Sequence, residues 1–596
     1  EVHQLALGQR GGPYALVERV GLCLYSEDIF YRRCVANVAD ETSYDFVIVG
    51  GGTAGATLAA RLTEVANFSV LLVEAGGDPP PESIIPGFKD VLKGSEFDWN
   101  FTTVNDYYAS QALQDGVQPQ PRGLMLGGTG SLNDMVYARG FPSDYDEWAT
   151  LLGDDWSWSN VLKYFKKTEH LTDERIINDP ELMQYHSRGG EIHVAGLNVS
   201  TSTTDIFLEA FHELGFKKVK DMTNPNAIGV GRFSHTINEG RRDGSLPGLL
   251  NKVADRSNLY VIKNALVTKV LIENNTAYGV QILMGDDCFR FYAQKEVVLS
   301  AGALNTPKLL LLSGVGPKQH LEDIGIEVKN DLPVGENLHD HVMVLDYLVA
   351  DNGTCPTDSA TLYFELIRYL YDRTGLFSAT NSLGAYISLD ESSGPNVPDF
   401  AIYPTCVPIG SGIFDGCFNQ LNLKESICSK LSDYNRNREL ITLAVVLLKP
   451  KSRGKVKLRS NNPLDEPLIY AGTFSSGTDL NDYPEALRIA RSLVTTSYFK
   501  GINADVVDLE IDECTGLDDL DKLKCTARSM AMSAWHTVGT AAMGTVLDQR
   551  LKVLGMSGVR VVDASVMPKV IRGNTNAPVI MIAEKAADFI KEEYEF

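Results

Sequence analysis

Three glycines and one acid define the first chemistry available to this chain. Gly50, Gly52 and Gly55 stand in the order G-x-G-x-x-G, and Glu74 follows nineteen residues after the last of them. In a dinucleotide site the first glycine allows a tight turn and the second lets backbone approach a pyrophosphate. The third lets a helix pack close against a strand. Amides at the helix start then face the phosphates, and the acid accepts hydrogen bonds from a ribose. The spacing leaves open whether that nucleotide is NAD or FAD. His339 and His341, with only Asp340 between them, are too few for a metal site and are expected in a structural turn. Trp156 and Trp158 are expected to anchor packing rather than to stack on a substrate.

The elements around these residues fit that reading. Residues 45–49, Asp-Phe-Val-Ile-Val, form a short apolar run suited to a strand buried on both faces. Residues 56–62 after the glycines are strong helix formers, and a second apolar run at 69–73 ends on Glu74. Strand, glycine turn, helix, strand and terminal acid make one βαβ unit. Further strands are expected at 296–300 and at 559–562, the latter ending on Asp563. Thr306-Pro307 should open a leucine-rich helix that Ser313-Gly314 closes, with proline at the tolerated first position. Pro578 should begin the last helix, in which Val579, Ile582, Ala583, Ala586 and Ile590 keep helical spacing. Residues 1–40 read as an N-terminal extension. The stretch 346–526, with turns such as Ser392-Ser393-Gly394-Pro395, reads as a separate substrate-facing region.

Composition narrows the function classes. A chain of 596 residues exceeds one ordinary core. The 44% apolar and 22% charged residues are those of a soluble globular protein, and no stretch approaches the roughly 18 uncharged apolar residues of a membrane span. Lysine plus arginine number 54 against 77 acids, a net charge of −23 that repels phosphate backbones and excludes nucleic acid as a partner. Small neutral substrates stay open. Nine cysteines include Cys23/Cys34, Cys406/Cys417/Cys428 and Cys514/Cys525 at a repeated spacing of eleven, compatible with short disulfide loops, and their odd number leaves one thiol unpaired. Sequons at Asn67, Asn100, Asn198, Asn274 and Asn352 add N-glycans to the expectation. Both features point to secretion.

Longer segments decide the cofactor by resemblance. Residues 123–133, Gly-Leu-Met-Leu-Gly-Gly-Thr-Gly-Ser-Leu-Asn, resemble the first signature of the glucose-methanol-choline (GMC) flavin oxidoreductases. Residues 302–316, Gly-Ala-Leu-Asn-Thr-Pro-Lys-Leu-Leu-Leu-Leu-Ser-Gly-Val-Gly, match the second throughout. Trp535-His536-Thr537-Val538-Gly539-Thr540 and Gly573-Asn574-Thr575-Asn576-Ala577-Pro578 resemble the family's catalytic segments, and 333–341 is also family-like. The likeness runs in order from about 44 to 590.

The resemblance implies an α/β chain with an α+β substrate part: a discontinuous FAD-binding Rossmann-like domain with a capping substrate domain built on a β-sheet. On that pattern 41–345 is mostly FAD-binding, with a substrate-domain insertion at about 145–230. Residues 346–526 are mostly substrate-binding, and 527–596 complete the FAD domain with the catalytic segments. Gly50, Gly52, Thr53, Ala54 and Glu74 should hold the ADP half, and Val267 the adenine. Gly128, Asn133 and Val136 should lie along the flavin, with Asp563, Ala564, Asn576 and Pro578 near its ribityl chain and pyrimidine. The dipole of the last helix would favour anionic reduced flavin. Gly130 departs from the pattern, standing where many relatives carry serine. No histidine lies between His3 and His170, so the signature loop offers no covalent link and FAD is expected to be dissociable.

By the same resemblance His536 takes the hydroxyl proton, a task suited to an imidazole with a reference pKa near 6.5. Asn574 holds the substrate oxygen. The implied reaction is oxidation of a small neutral alcohol, secondary or benzylic, by hydride transfer to flavin N5. Oxygen reoxidises the flavin to give hydrogen peroxide, or a quinone serves as acceptor. The likeness is greatest to secreted arthropod members, whose substrates include ecdysteroids, salicyl alcohol, mandelonitrile and glucose. A hydroxynitrile lyase, which keeps FAD without redox turnover, is the rival reading.

Overall fold

The computed structural model describes residues 40–196, 202–355, 359–380, 383–389 and 397–595. Of the expected N-terminal extension only Asp40 falls among them. Cys23, Cys34, Asn198 and the turn at 392–395 lie outside the described residues. Asn67, Asn100, Asn274 and Asn352 are all exposed.

The βαβ unit forms where the sequence places it. Thr42–Val49 is a central strand, buried at Phe46, Val47 and Ile48 on both faces. It pairs in parallel with Val70–Val73 on one side and with Asp287–Leu299 on the other. Leu259–Ile262 extends the parallel ladder beyond Val70–Val73, and the hairpins Leu266–Glu273 and Thr276–Met284 extend it antiparallel at the opposite edge. The strand Val559–Val561, from the far end of the chain, joins alongside residues 297–299. The helix Thr53–Leu62 lies close on this sheet because Gly55 lacks a side chain: a Cβ there would stand 1.9 Å from the Gly50 carbonyl oxygen. Arg61 of that helix donates Nε to Glu584 of the last helix at 2.7 Å, a buried ion pair joining segments 523 residues apart.

Two prolines sit deeper in their helices than expected. The leucine-rich helix spans Gly302–Leu312, so Pro307 is interior rather than first. A proline there frees the carbonyl four residues earlier, that of Ala303. The Thr540 hydroxyl donates to that oxygen at 2.7 Å, which replaces the hydrogen bond the proline cannot make. The last helix runs Asn576–Glu593 and takes Pro578 as its third residue, where the amide would have had no intrahelical acceptor.

A second sheet, eight-stranded among the described residues, faces the first. Its spine is Val342–Ala350, Glu439–Leu447, Phe400–Val407 and Leu383–Ile387, all antiparallel, followed by Gly229–Arg232. One face packs on helices such as Tyr483–Arg491 and Asp519–Met530. Register places Tyr403 opposite Ala444, Thr405 opposite Thr442 and Met343 opposite Val446, so these residues share the other face.

Cys417 pairs with Cys428 and Cys514 with Cys525, each across the spacing of eleven. Cys406, however, pairs with Cys355, 51 residues away. Glu439 explains this partner: its buried carboxylate accepts hydrogen bonds from the amides of Gly353, Thr354 and Cys355, drawing that loop to the strand beside Cys406. Cys288 is a free thiol and is exposed. Trp156 is fully buried and donates to the Gln549 carbonyl at 3.0 Å, while Trp158 packs against the same core.

Candidate active site

A cavity of about 640 Å³ lies between the carboxyl ends of the parallel strands and the free face of the second sheet. That volume lies within the roughly 300–1,000 Å³ of small-molecule and cofactor sites. Gly50, Gly52, Thr53, Ala54, Glu74, Val267, Gly128, Asn133, Val136, Asp563, Ala564 and Asn576 all line it, and so do His536 and Asn574. Pro578 does not line the cavity; it is buried within the last helix.

Local structure fixes each group. Glu74 accepts from the amides of Gly51 at 2.7 Å and Gly76 at 2.8 Å, and burial pushes its carboxyl up to about 7. Asp563 spends its carboxylate on the Gly302 amide, the Thr306 hydroxyl and Ser565, thereby capping the helix that starts at Gly302. Asn133 accepts through Oδ1 from the Met135 amide and from Arg242, which leaves its Nδ2 unused. The departure at Gly130 has a local reason: a Cβ there would stand 2.7 Å from Thr53 Oγ1, which instead donates to Asn576 Oδ1 at 3.0 Å.

The lining suits the FAD that the resemblance implies. Two buried oxygens on lining residues, Ser300 Oγ and Asn574 Oδ1, have no hydrogen-bond partner within the protein. The helices starting at Thr53, Gly302 and Asn576 all open on the cavity with their first residues. Their amino-terminal ends favour anionic groups. Glu74 adds a buried carboxylate to the lining.

Where His536 and Asn574 line the cavity, the decisive neighbour is His341. Its Nε2 lies 2.9 Å from the Ile571 carbonyl oxygen, which can only accept, so Nε2 carries the proton. Its Nδ1 is then a bare acceptor, and it stands 2.9 Å from His536 Nδ1. His536 must therefore be protonated at Nδ1 and bare at Nε2. Asn574 Nδ2 donates to that Nε2 at 3.1 Å. Burial, then the neighbouring His341 imidazole and the Arg122 charge, hold His536 well below the ordinary imidazole range, and burial pushes His341 down to about 4. Asp340 accepts the His536 amide at 2.8 Å and the Thr537 hydroxyl at 3.0 Å, which fixes the backbone carrying the imidazole.

The expected structural turn thus describes only half of the His339/His341 pair. His339 donates to the Asn337 carbonyl and accepts from the Val570 amide, a purely structural pairing. His341 contacts the imidazole itself, and no spacing in the sequence announces a partner 195 residues away. The remaining wall is Met343, Tyr403, Thr405, Ala444 and Val446 from the sheet, with Trp99, Phe101 and Trp535 also on the lining. Lys93 lies 4.3 Å from the centre of the Trp535 ring.

Known proteins align with this arrangement. The chain matches the GMC oxidoreductase model for the amino-terminal part over 44–343 and for the carboxyl-terminal part over 450–583. It is 60% identical over 551 residues to an ecdysone oxidase of Bombyx mori, covering 92% of this chain and 82% of that one. An ecdysone oxidase of Spodoptera littoralis is 54% identical over 572 residues, covering 96% and 95%. Among solved structures, a variant formate oxidase of Aspergillus oryzae RIB40 superposes with a TM-score of 0.80 at 26% identity, over 94% of this chain and all of that one.

Proposed function

The chain belongs to the GMC oxidoreductase family, FAD-dependent enzymes that oxidise alcohols, and we propose that it converts a secondary alcohol of ecdysteroid type to its ketone with His536 as the base. The observation that carries this reading is the bare Nε2 of His536 at the cavity, beside an amide donor. Two ecdysone oxidases among the relatives support the substrate class. A sheet face of Met343, Tyr403, Thr405, Ala444 and Val446, with Trp99 and Phe101 also on the lining, suits the apolar ring system of a polycyclic alcohol.

Bound in this cavity, FAD would supply the hydride acceptor for the carbinol carbon and the store from which the electron pair reaches an acceptor. The substrate hydroxyl gives its proton to His536 Nε2, and Asn574 Nδ2 turns from the imidazole to the substrate oxygen. His341 keeps accepting from His536 Nδ1, so the ring holds one orientation before and after it gains the proton. The resulting imidazolium stands in a site that disfavours charge, and it stabilises negative charge developing on the acceptor, which we take to be dioxygen. Val49, Gly50, Gly52, Thr53, Ala54 and Glu74 would hold the nucleotide end, and Gly128, Asn133, Val136, Ala564 and Asn576 the flavin end, without a covalent link. Three disulfides and four exposed sequon asparagines favour a secreted glycoprotein.

Anaerobic mixing with ecdysone, cyclohexanol, benzyl alcohol and glucose tests the reaction. Ecdysone should bleach the flavin absorbance fastest, and admitting air should restore it with one hydrogen peroxide per turnover. A flavin that no alcohol bleaches, with cyanide released from mandelonitrile, would replace this reading by a lyase. Bleaching that only an added quinone reverses would keep the oxidation and change the acceptor.

Glu74 makes FAD affinity depend on pH. Ribose hydroxyls would donate to the ionised carboxylate, and burial pushes its pKa up to about 7, so binding FAD would release a proton where the apo-protein retains one. Affinity should therefore rise with pH through 7, with Kd about tenfold lower at pH 8 than at pH 6. Titration of apo-protein by flavin fluorescence measures this, and Glu74→Gln should flatten the dependence.

A further inference from the structure

Arg242 is a buried cation that the chemistry above leaves unused. It ends the short strand Arg241–Arg242 and is only 7% exposed. Its Nε donates to the Ser83 carbonyl at 2.7 Å, and Nη1 to Asn133 Oδ1 at 2.8 Å and the Gly130 carbonyl at 3.3 Å. All three acceptors are neutral. The carboxylates nearby are already engaged: Asp90 lies 3.0 Å from Lys89 and 2.6 Å from Lys93, and Asp134 lies 2.9 Å from Lys89 and 3.6 Å from Lys93. Three cations therefore face two anions. A buried cation in excess of its counter-ions is costly: burial pushes Arg242 down to about 10, although Asp134 and Asp90, shared with the two lysines, pull the other way. Lys89, Asp90, Lys93, Asn133 and Asp134 all line the cavity, so the surplus charge stands just behind its wall.

We propose that Arg242 is a positioning residue for the cofactor: it fixes the loop from Gly130 to Asn133 and supplies the surplus positive charge that an anionic group of bound FAD neutralises. The guanidinium fork suits the first task, because it reaches a backbone carbonyl and a side-chain oxygen of one loop together. By occupying Asn133 Oδ1 it also sets the amide orientation, leaving Nδ2 as the group free to donate into the cavity. The charge suits the second, since the low dielectric behind the wall screens it little. The inference rests on FAD occupying this cavity and is independent of which alcohol is oxidised.

Arg242→Gln, which keeps a neutral donor and deletes the charge, provides the test with Arg242→Lys as its control. Three quantities are measured on each: FAD Kd by titration of apo-protein, the reduction potential of the bound flavin against reference dyes, and the melting temperatures of apo- and holoprotein. Arg242→Gln should weaken FAD binding, lower the potential, or both, while the apo-protein melts no lower than wild type because a costly buried charge has gone. A tenfold loss in Kd at unchanged potential assigns the anion to the pyrophosphate, which is charged in both redox states. A tenfold loss in relative affinity for reduced flavin, about 30 mV of potential, assigns it to the charge gained on reduction. Arg242→Lys should return both quantities toward wild type. Unchanged Kd and potential with a lower apo melting temperature would show a merely structural arginine and overturn the proposal. Equal impairment in the lysine and glutamine variants would also overturn it, by removing charge as the cause.

Discussion

His536→Ala should lose about 10²–10⁴-fold in kcat on a secondary alcohol, the range that a positioned general base contributes. The variant should still purify yellow, because it leaves in place the rest of the lining, Gly50, Gly52, Thr53 and Glu74 included, on which the proposed nucleotide binding rests. The mechanism also predicts what else changes. In the wild-type enzyme His536 is held well below the ordinary imidazole range, so it is neutral throughout that range and above, and kcat/KM should be level there. A base must be unprotonated to act, so activity falls only as pH drops through that depressed value. In His536→Ala the proton must leave with bulk base, and the rate should rise with hydroxide or with added imidazole. Stopped-flow reduction of the flavin, with the alcohol carrying deuterium on the carbinol carbon, separates the steps. Normal reduction rates in the variant would remove His536 from the reaction.

His341→Gln helps to read such an experiment. Glutamine can still donate to the Ile571 carbonyl and accept from His536 Nδ1, the two contacts that set the imidazole tautomer. It should therefore retain much more activity than a variant that removes the acceptor.

What the sequence discloses here is what short-range physics controls. The βαβ unit is legible because apolar run, glycine turn, helix and terminal acid all lie within 45–74, and each obeys a local rule. The exact helix at Gly302–Leu312 is less so, since proline ends a helix unless its orphaned carbonyl finds another donor. Here that donor is Thr540, 237 residues downstream. Cys406 shows the same limit: a spacing of eleven correctly marks Cys417 with Cys428 and Cys514 with Cys525, yet the partner of Cys406 is set by Glu439 gathering the loop at 353–355. His341 is the instructive case for the site. A motif identifies residues that sit beside one another in the chain, whereas the tautomer of His536 depends on a side chain just ahead of the strand Val342–Ala350 and on a carbonyl from a third segment.

Asn574→Asp should be the second large loss, and its sign follows from that tautomer chain. In the wild type the Asn574 amide donates to His536 Nε2 at 3.1 Å. A carboxylate at that place cannot donate; it can only accept, so it favours a proton on Nε2. An opposite charge at hydrogen-bond distance raises an imidazole pKa by about 1–3 units. The base would then be protonated over more of the working range, and the acid limb of kcat/KM should move to higher pH. At a pH below the new value the loss is about 10–10³-fold, and raising the pH recovers part of it. Recovery stays incomplete because the substrate oxygen has also lost its amide donor and meets a negative charge instead. Asn574→Ala separates the two effects: it deletes the donor without adding charge, so its rate should fall with the acid limb left in place. A pH–rate profile for each variant, read from flavin reduction under single-turnover conditions, distinguishes them. Coincident acid limbs in Asn574→Asp and wild type would mean that residue 574 does not face the reacting nitrogen, and the pairing on which the proposed chemistry rests would fail.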